Sequence, residues 1–238
     1  MIFRQLFNIA LPTRCAFCQA ISGEAICQGC QEDFLRTPTQ VCRRCALFLA
    51  NADLPSICGD CLQHSPSYDI TIAACKYQAP CDQLVQKLKF RSELGLASAM
   101  AQVIRNRILE SSQLELPDLL LPVPLGQRRL RERGFNQALE IGRQLSTQLG
   151  IPIETRLLRR IKETLAQSTL RPHQRQTNMR NAFLFNDQRN TKIQGLHIGV
   201  IDDVMTTGMT LNAIAKELKY HGAVKVSNFV FARTPKSI

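Results

Sequence analysis

Eight of the ten cysteines in this 238-residue chain form four Cys-x-x-Cys pairs near its beginning. The pairs are Cys15 with Cys18, Cys27 with Cys30, Cys42 with Cys45, and Cys58 with Cys61. Two thiolates at this spacing bind one tetrahedral ion from one side, and a second pair completes its coordination shell. The eight therefore predict two structural Cys₄ zinc sites with no open position for a substrate. Sequential pairing is the simplest arrangement, and an interleaved one stays open.

The cysteine-rich region holds too few apolar residues for an ordinary core, so bound metal would supply its folding energy. We therefore predict a small zinc-ribbon domain over residues 1–66 and a second domain over residues 67–238. A disulfide framework, typical of secreted proteins, is the alternative, but the repeated Cys-x-x-Cys spacing favours zinc. Cys75 and Cys81 lie outside the pattern and are predicted to be buried thiols.

A second feature is an apolar strand that ends in Asp202 and Asp203 and is followed by a hydroxyl-rich loop and a helix over residues 211–220. Loop amides and a helix N-terminus converge on one spot that suits a phosphate dianion. The two carboxylates would repel a phosphate but accept hydrogen bonds from ribose hydroxyls. The alternative is a buried strand with a capping Asp and a Thr-rich turn. The predicted phosphate contacts are Thr206, Thr207, Gly208, Met209 and Thr210.

From residue 67 onward, apolar strands alternate with amphipathic helices, which predicts an α/β domain with a mainly parallel sheet. We expect strands at residues 69–76, 119–124, 182–185, 197–201 and 225–232, and helices at residues 81–90, 94–109, 137–148 and 211–220. Ligands bind beyond the carboxyl ends of such strands, where Pro124 and the acid pair both fall.

A basic segment over residues 127–138 follows Pro124 and combines closely spaced arginines with an Arg-Gly-Phe-Asn-Gln run. Guanidinium groups pair bidentately with pyrophosphate, and the same cations suit a nucleic-acid backbone. An exposed basic loop that touches only water is the alternative. The predicted pyrophosphate contacts are Pro124, Arg128, Arg131, Arg133, Gly134, Asn136 and Gln137, and the predicted nucleic-acid contacts are Lys87, Lys89, Arg129, Arg131 and Arg133.

A second polar stretch runs over residues 159–183 and is nearly free of acidic residues. A polar segment of this length inside a compact domain closes over a ligand or is disordered. Its candidate contacts are Thr164, Gln167, Arg175 and Asn178.

Charge is distributed unevenly along the chain. Residues 1–84 hold 6 Lys and Arg against 7 Asp and Glu, which leaves 24 against 12 for residues 85–238. This excess favours an anionic partner such as a polyphosphate or nucleic acid. The sequence has no run of 18 consecutive apolar residues, so we expect no membrane span. Residues 1–12 predict a short helix in preference to a signal peptide. The chain contains no Gly-Lys dipeptide and therefore no Walker A loop for a motor.

Together these motifs resemble the ComF family. The matching features are the four cysteine pairs, Leu88-Lys89-Phe90, Pro122-Val123-Pro124, the run from Arg133 to Gln137, Thr164 with Gln167, Arg175 with Asn178, Ala182-Phe183 and the Asp202-Asp203 loop. The resemblance implies a type I phosphoribosyltransferase fold behind a double zinc ribbon. It also implies binding of phosphoribosyl pyrophosphate (PRPP) with Mg²⁺, and a role in natural transformation, the uptake of single-stranded DNA.

Three functions compete at this point. The first is a PRPP-binding protein of DNA uptake, with or without catalysis on an unknown acceptor. The second is a nucleobase salvage phosphoribosyltransferase, and the third is an inert scaffold that binds single-stranded DNA beside a helicase or channel protein. For all three we expect a cytoplasmic location, with recruitment to the inner face of the membrane through partners left open.

Overall fold

The computed structural model describes residues 14–35, 40–49, 56–111, 114–161, 182–186 and 192–236. In these residues the helices are α1 (Gln28–Phe34), α2 (Gly59–Gln63), α3 (Cys81–Arg91), α4 (Leu96–Glu110), α5 (Gln127–Arg133), α6 (Gln137–Leu149) and α7 (Met209–Tyr220). The strands are β1 (Ile70–Lys76), β2 (Leu119–Pro122), β3 (Leu158–Arg160), β4 (Phe183–Phe185), β5 (His197–Met205) and β6 (Lys225–Arg233).

The main sheet has the strand order β1-β6-β5-β2, and every neighbouring pair is parallel. Parallel strands are buried on both faces and therefore read as nearly continuous apolar runs. Strand β6 fits this rule, since all of its residues after Lys225 are buried. The prediction of an α/β domain with a parallel sheet is confirmed.

Helices cover both faces of this sheet, and each face also receives part of the cysteine-rich region. The first cysteine module (residues 14–35) packs into the same hydrophobic cluster as α3, α4 and α6. The second cysteine module (residues 40–49 and 56–64) packs into the cluster that contains α7. Side chains of β6 alternate between the two clusters, with Phe229 and Phe231 on one side and Val226 and Val230 on the other.

The cysteine-rich region also holds the edge of the sheet at β1. The amide of Thr71 donates to the carbonyl oxygen of Arg43, 3.2 Å away, although β1 has only one partner strand. On the other face, the buried guanidinium of Arg107 donates to the carbonyl oxygens of Ala74 and Leu35. A covered edge is protected from pairing with other chains. The two modules therefore brace the sheet that carries the candidate site.

Three local predictions differ from the structure. Strand β5 continues through Asp202 and Asp203 to Met205, because pairing with β6 extends to Met205 and Arg233. The basic segment begins as helix α5 and is not a loop there, since Arg, Leu, Gln and Glu are good helix formers. Strand β3 was not predicted, and it pairs with β4 in a separate antiparallel sheet. The other predicted elements that fall within the described residues agree with the structure to within a few residues, whereas the short helix predicted over residues 1–12 lies outside the described residues.

Candidate functional site

The four cysteine sulfurs of each module lie within 4.8 Å of one another. One cluster contains Cys15, Cys18, Cys27 and Cys30, and the other contains Cys42, Cys45, Cys58 and Cys61. The pairing is therefore sequential. The two modules repeat one geometry, because the amide of Cys27 donates to the sulfur of Cys15 at 3.4 Å and that of Cys58 to Cys42 at 3.3 Å. The predicted Cys75 and Cys81 are buried outside both clusters.

Thiol electrostatics in these clusters favour a bound dication. The thiol of Cys45 and nearby backbone N–H groups lower the pKa of Cys42 to about 4, whereas the same contact and burial raise the pKa of Cys45 strongly. Without a metal, one thiolate therefore forms at the expense of its neighbours. A Zn²⁺ ion lets all four ionise, and four sulfur donors match its tetrahedral preference. The residues fit two structural Cys₄ zinc sites.

The acid pair lies near the carboxyl end of β5, in the middle of the sheet. Asp202 Oδ1 accepts a hydrogen bond of 2.9 Å from the amide of Asp203. The neighbouring strand β2 ends beside it, since the amide of Val123 donates to Ile201 at 2.9 Å. Pro124 therefore lies at the same edge of the sheet as the two carboxylates, as the sequence predicted.

The two acids differ in their electrostatic surroundings. Burial, and then the charge of Asp203, raise the pKa of the Asp202 carboxyl well above its usual range. Asp203 instead forms an ion pair with Lys89 near the end of α3. Lys89 was predicted as a nucleic-acid contact, and the structure places it against this carboxylate with little exposure. The charge of Asp203 is therefore balanced by Lys89, whereas Asp202 favours its protonated form.

The hydroxyl-rich loop connects β5 to α7. Gly208 has a φ of 79°, and a Cβ added there would lie 2.5 Å from Cε of Met205 and 3.0 Å from Oη of Tyr68. Thr206 and Thr207 are exposed, and Thr207 Oγ1 accepts from the amide of Met209 at 3.4 Å. Met209 and Thr210 form the first turn of α7. The loop thus places hydroxyls and the first turn of a helix at the end of a central strand.

The buried Arg233 holds this loop against the second cysteine module. Its Nε donates to the carbonyl oxygen of the zinc ligand Cys45 at 2.9 Å. Its Nη1 donates to the carbonyl oxygens of Met205, Thr206 and Thr234. One guanidinium therefore connects a metal module to the start of the candidate phosphate loop.

A cavity of about 510 Å³ lies beside this connection, between the second cysteine module and the loop. Its lining includes Cys61, Tyr68, Thr207 and Lys236, whereas Asp202 and Asp203 do not contribute to it. The open space next to the loop is therefore separate from the acid pair.

The Arg-Gly-Phe-Asn-Gln run connects α5 to α6. Gly134 ends α5 with a φ of 77°, and Asn136 caps α6 by accepting from the amide of Ala138 at 3.0 Å. The side-chain amide of Asn136 also donates to the carbonyl oxygen of Val123 at 3.0 Å, which ties the turn to the end of β2. Gln137 is buried. Gly134, Asn136 and Gln137 thus shape the turn, and their contact with a pyrophosphate stays a prediction.

Arg133 reaches from α5 toward α3. Its Nη1 donates to Oε1 of Gln137 at 3.1 Å, and its guanidinium carbon lies 5.4 Å from the ring centre of Phe90. Burial lowers the pKa of Arg133, while the nearby charge of Asp203 acts in the opposite direction. The charge of Asp203 therefore acts on Arg133 of the basic segment.

The remaining predicted residues divide into two groups. Arg128 and Arg131 are exposed on α5, where Arg128 Nε lies 3.7 Å from a carboxylate oxygen of Glu132, while Arg129 and Lys87 are half-buried. The candidate contacts Thr164, Gln167, Arg175 and Asn178 lie outside the described residues.

Two residues that sequence reasoning did not place in the site are Arg233 and Phe90. Arg233 is the last residue of a buried strand, where an arginine needs several acceptors, and this was an available signal. Phe90 belongs to a recognised motif, but nothing in the sequence indicates which element its ring faces.

A double cysteine module that braces a parallel sheet, with an acid pair and a hydroxyl loop at the sheet's carboxyl edge, defines a zinc-ribbon protein with an α/β domain. Residues 6–62 match the double zinc ribbon domain. The DNA utilization protein YhgH of Salmonella typhimurium is 34% identical over 232 residues, which cover 95% of this chain and 99% of that protein. Competence protein F of Haemophilus influenzae is 32% identical over 226 residues, covering 92% and 96%. Competence protein ComFC of Bacillus subtilis is 26% identical over 221 residues, covering 89% and 85%.

The chain belongs to the ComF family of competence protein F, ComFC and YhgH. Among solved structures, adenine phosphoribosyltransferase from Leishmania tarentolae aligns with a TM-score of 0.42 and 11% identity over 72% of this chain and 93% of that one. Glutamine PRPP amidotransferase from B. subtilis aligns with a TM-score of 0.38 and 18% identity over 57% and 26%. Likeness at this level concerns the fold and says nothing about chemistry. Among the described residues, no helix is both long and apolar enough to cross a membrane.

Proposed function

We propose that this protein binds PRPP through its acid pair and hydroxyl loop, and that it handles single-stranded DNA in natural transformation. The observation that carries the proposal is the position of Asp202 and Asp203 near the carboxyl end of a central parallel strand, shortly before the loop and α7. Two of its relatives are named as competence proteins, which supports the process.

In this proposal the 5-phosphate accepts hydrogen bonds from the loop at Thr206 to Thr210 and from the first amides of α7. Asp202 and Asp203 accept hydrogen bonds from the ribose hydroxyls. Because the raised pKa of Asp202 favours its protonated form, this carboxyl would release its proton when both of its oxygens act as acceptors. The pyrophosphate would lie toward Pro124 and Arg133. Mg²⁺ would neutralise the charge of the pyrophosphate oxygens. Carboxylates and substrate oxygens are suitable ligands for this ion.

Departure of pyrophosphate would leave positive charge on the anomeric carbon, and the two carboxylates would stabilise it. None of the described side chains stands out as a base for an acceptor. The proposal therefore commits to PRPP binding and leaves the acceptor open.

The ion pair between Lys89 and Asp203 favours a second candidate, the scaffold that binds DNA without PRPP. A carboxylate that is already neutralised has less need of a sugar or metal partner. In this candidate basic residues of the segment 85–238 contact the strand, and a helicase or channel protein supplies movement on the cytoplasmic side of the membrane.

Calorimetric titration of the zinc-loaded protein with PRPP and Mg²⁺ separates the two candidates. Binding that is lost in Asp202→Asn with Asp203→Asn, but kept in a control substitution of the exposed Asp33→Asn, supports the PRPP site. Absence of PRPP binding by folded wild-type protein would contradict it and favour the scaffold. Zinc content and circular dichroism of each variant guard against loss of binding through misfolding.

A further inference from the structure

Phe90 ends the Leu-Lys-Phe motif on α3 with its ring largely in solvent. The residue is 72% exposed, although it sits beside Lys89, whose side chain is mostly covered by its contact with Asp203. A single exposed apolar side chain needs no explanation by itself. Phe90 differs from other exposed apolar residues because a cationic side chain packs on one face of its ring.

That group is the guanidinium of Arg133, which comes from a different helix. Its central carbon lies 5.4 Å from the ring centre, within the range of a cation–π contact. The hydrogen bond to Gln137 holds the guanidinium from its other side. Leu130, one turn earlier on the same face of α5, is also partly exposed. The ring, the planar cation and an apolar flank thus form one surface.

This surface adjoins the acid pair. Phe90 directly follows Lys89, whose ammonium group pairs with Asp203, and the charge of Asp203 also acts on Arg133. Arg129 lies one turn before Arg133 on α5 and adds positive charge, so the same surface attracts a phosphate backbone. Exposed aromatic rings with nearby arginines are the means by which proteins hold bases of single strands without sequence preference.

We propose that Phe90 and Arg133 form a stacking platform for a nucleobase of single-stranded DNA at the mouth of the acid pair. The proposal rests on the proposed function, since it specifies where the strand lies relative to the sugar site. The base would stack on the open face of the Phe90 ring, and Arg133 would stay on the other side. The adjoining phosphates would face the arginines of α5.

The chain contains no Trp, so Phe90→Trp creates a single fluorescent reporter at the platform. Titration with an oligothymidylate should quench this indole in a saturable way, because stacked bases quench tryptophan. An abasic oligomer of the same length keeps the phosphates and should leave the fluorescence nearly unchanged. Equal quenching by both oligomers, or by neither, would overturn the platform.

Tyr220→Trp is the matched control. Tyr220 is 83% exposed at the opposite end of α7, roughly 16 Å along the helix from the loop. Its indole should respond to neither oligomer. A response equal to that of Phe90→Trp would indicate diffuse binding over the basic surface and would also overturn the proposal.

Affinity gives an independent measure. Phe90→Tyr keeps a ring and should bind oligothymidylate as the wild type does, whereas Phe90→Leu should lose roughly 5- to 150-fold, the usual contribution of one stacked base. Neither change should alter affinity for the abasic oligomer. Equal affinity of the leucine and tyrosine variants for oligothymidylate would reject stacking. A parallel PRPP titration of wild-type protein tests the PRPP site alone. Failure of the PRPP site and failure of the stacking platform can therefore be told apart.

Discussion

Arg233 donates a hydrogen bond of 2.9 Å from Nε to the carbonyl oxygen of Cys45, and so joins the last strand of the sheet to a zinc ligand. The same guanidinium donates to Met205 and Thr206 at the start of the candidate phosphate loop. The second cysteine module and the loop therefore share one buried cation. Loss of zinc from that module would therefore be expected to disturb the loop through the hydrogen bonds of Arg233.

Arg233→Lys should loosen this connection, because an ammonium group cannot reach carbonyl oxygens on both sides. Each buried acceptor left unpaired costs about 1–3 kcal/mol, so the free energy of unfolding should fall by at least that amount. We also expect faster zinc release from the second module to a chelator, and weaker PRPP binding. Chelator-release kinetics and denaturant unfolding measure the two effects.

The control for that variant is Lys236→Gln, which removes an exposed cation of the same segment that pairs with Asp60. It should leave unfolding and zinc release unchanged. Normal zinc release from Arg233→Lys would show that the module keeps its geometry without this cation.

Zinc content should follow cluster membership. Wild-type protein should hold two ions per chain, one for each cluster of four sulfurs. Cys58→Ser should reduce the content to one ion, because a structural site with three thiolates binds zinc poorly. Cys75→Ala should keep both, since Cys75 is buried elsewhere and donates to the carbonyl oxygen of Phe231. Elemental analysis of dialysed protein decides it, and one ion in the wild type would contradict the assignment.

Stability should depend on pH through Asp202. Its pKa is raised in the folded state by burial and by Asp203, so above the usual carboxyl value of about 4 the fold holds a proton that the unfolded chain has released. The contribution of Asp202 to stability is therefore present at low pH and is lost as pH rises through the raised value. Asp202→Asn removes this dependence.

We expect the Tm of Asp202→Asn to exceed that of wild-type protein by a margin that widens from about pH 5 to about pH 8. Thermal unfolding of the two proteins over this range, with Asp33→Asn as an exposed control, provides the measurement. A margin that narrows with pH would mean that Asp202 is stabilised as a carboxylate in the fold.

Gly208→Ala should weaken phosphate binding. The added methyl group would approach Cε of Met205 to 2.5 Å and must adopt a φ of 79°, which costs a residue with a Cβ roughly 1–2 kcal/mol. The loop would have to shift away from Tyr68. Gly150→Ala is a useful comparison, because its φ is 71° but no atom lies within 4 Å of the added carbon. PRPP affinity should fall in the first variant and stay near wild type in the second.

Several parts of the protein follow from sequence alone because their physical signal is local. Four Cys-x-x-Cys pairs require metal sites wherever the chain leads them, and buried parallel strands such as β6 must be continuously apolar. The strand, acid pair, loop and helix from residue 197 to 220 are consecutive, so their order fixes their geometry at the sheet edge. The family resemblance rested on the same contiguous motifs.

Tertiary structure decided the relations between distant residues. Whether the cysteine pairs were sequential or interleaved depended on the path of the chain, and so did the placement of one module on each face of the sheet. Lys89 and Asp203 are 114 positions apart, and only packing of α3 against the sheet brings their charges together. The contacts of Arg233 with Cys45 and of Arg133 with Phe90 likewise join separate elements. No periodicity or composition specifies such contacts, because they form only when side chains from several elements fill the same space.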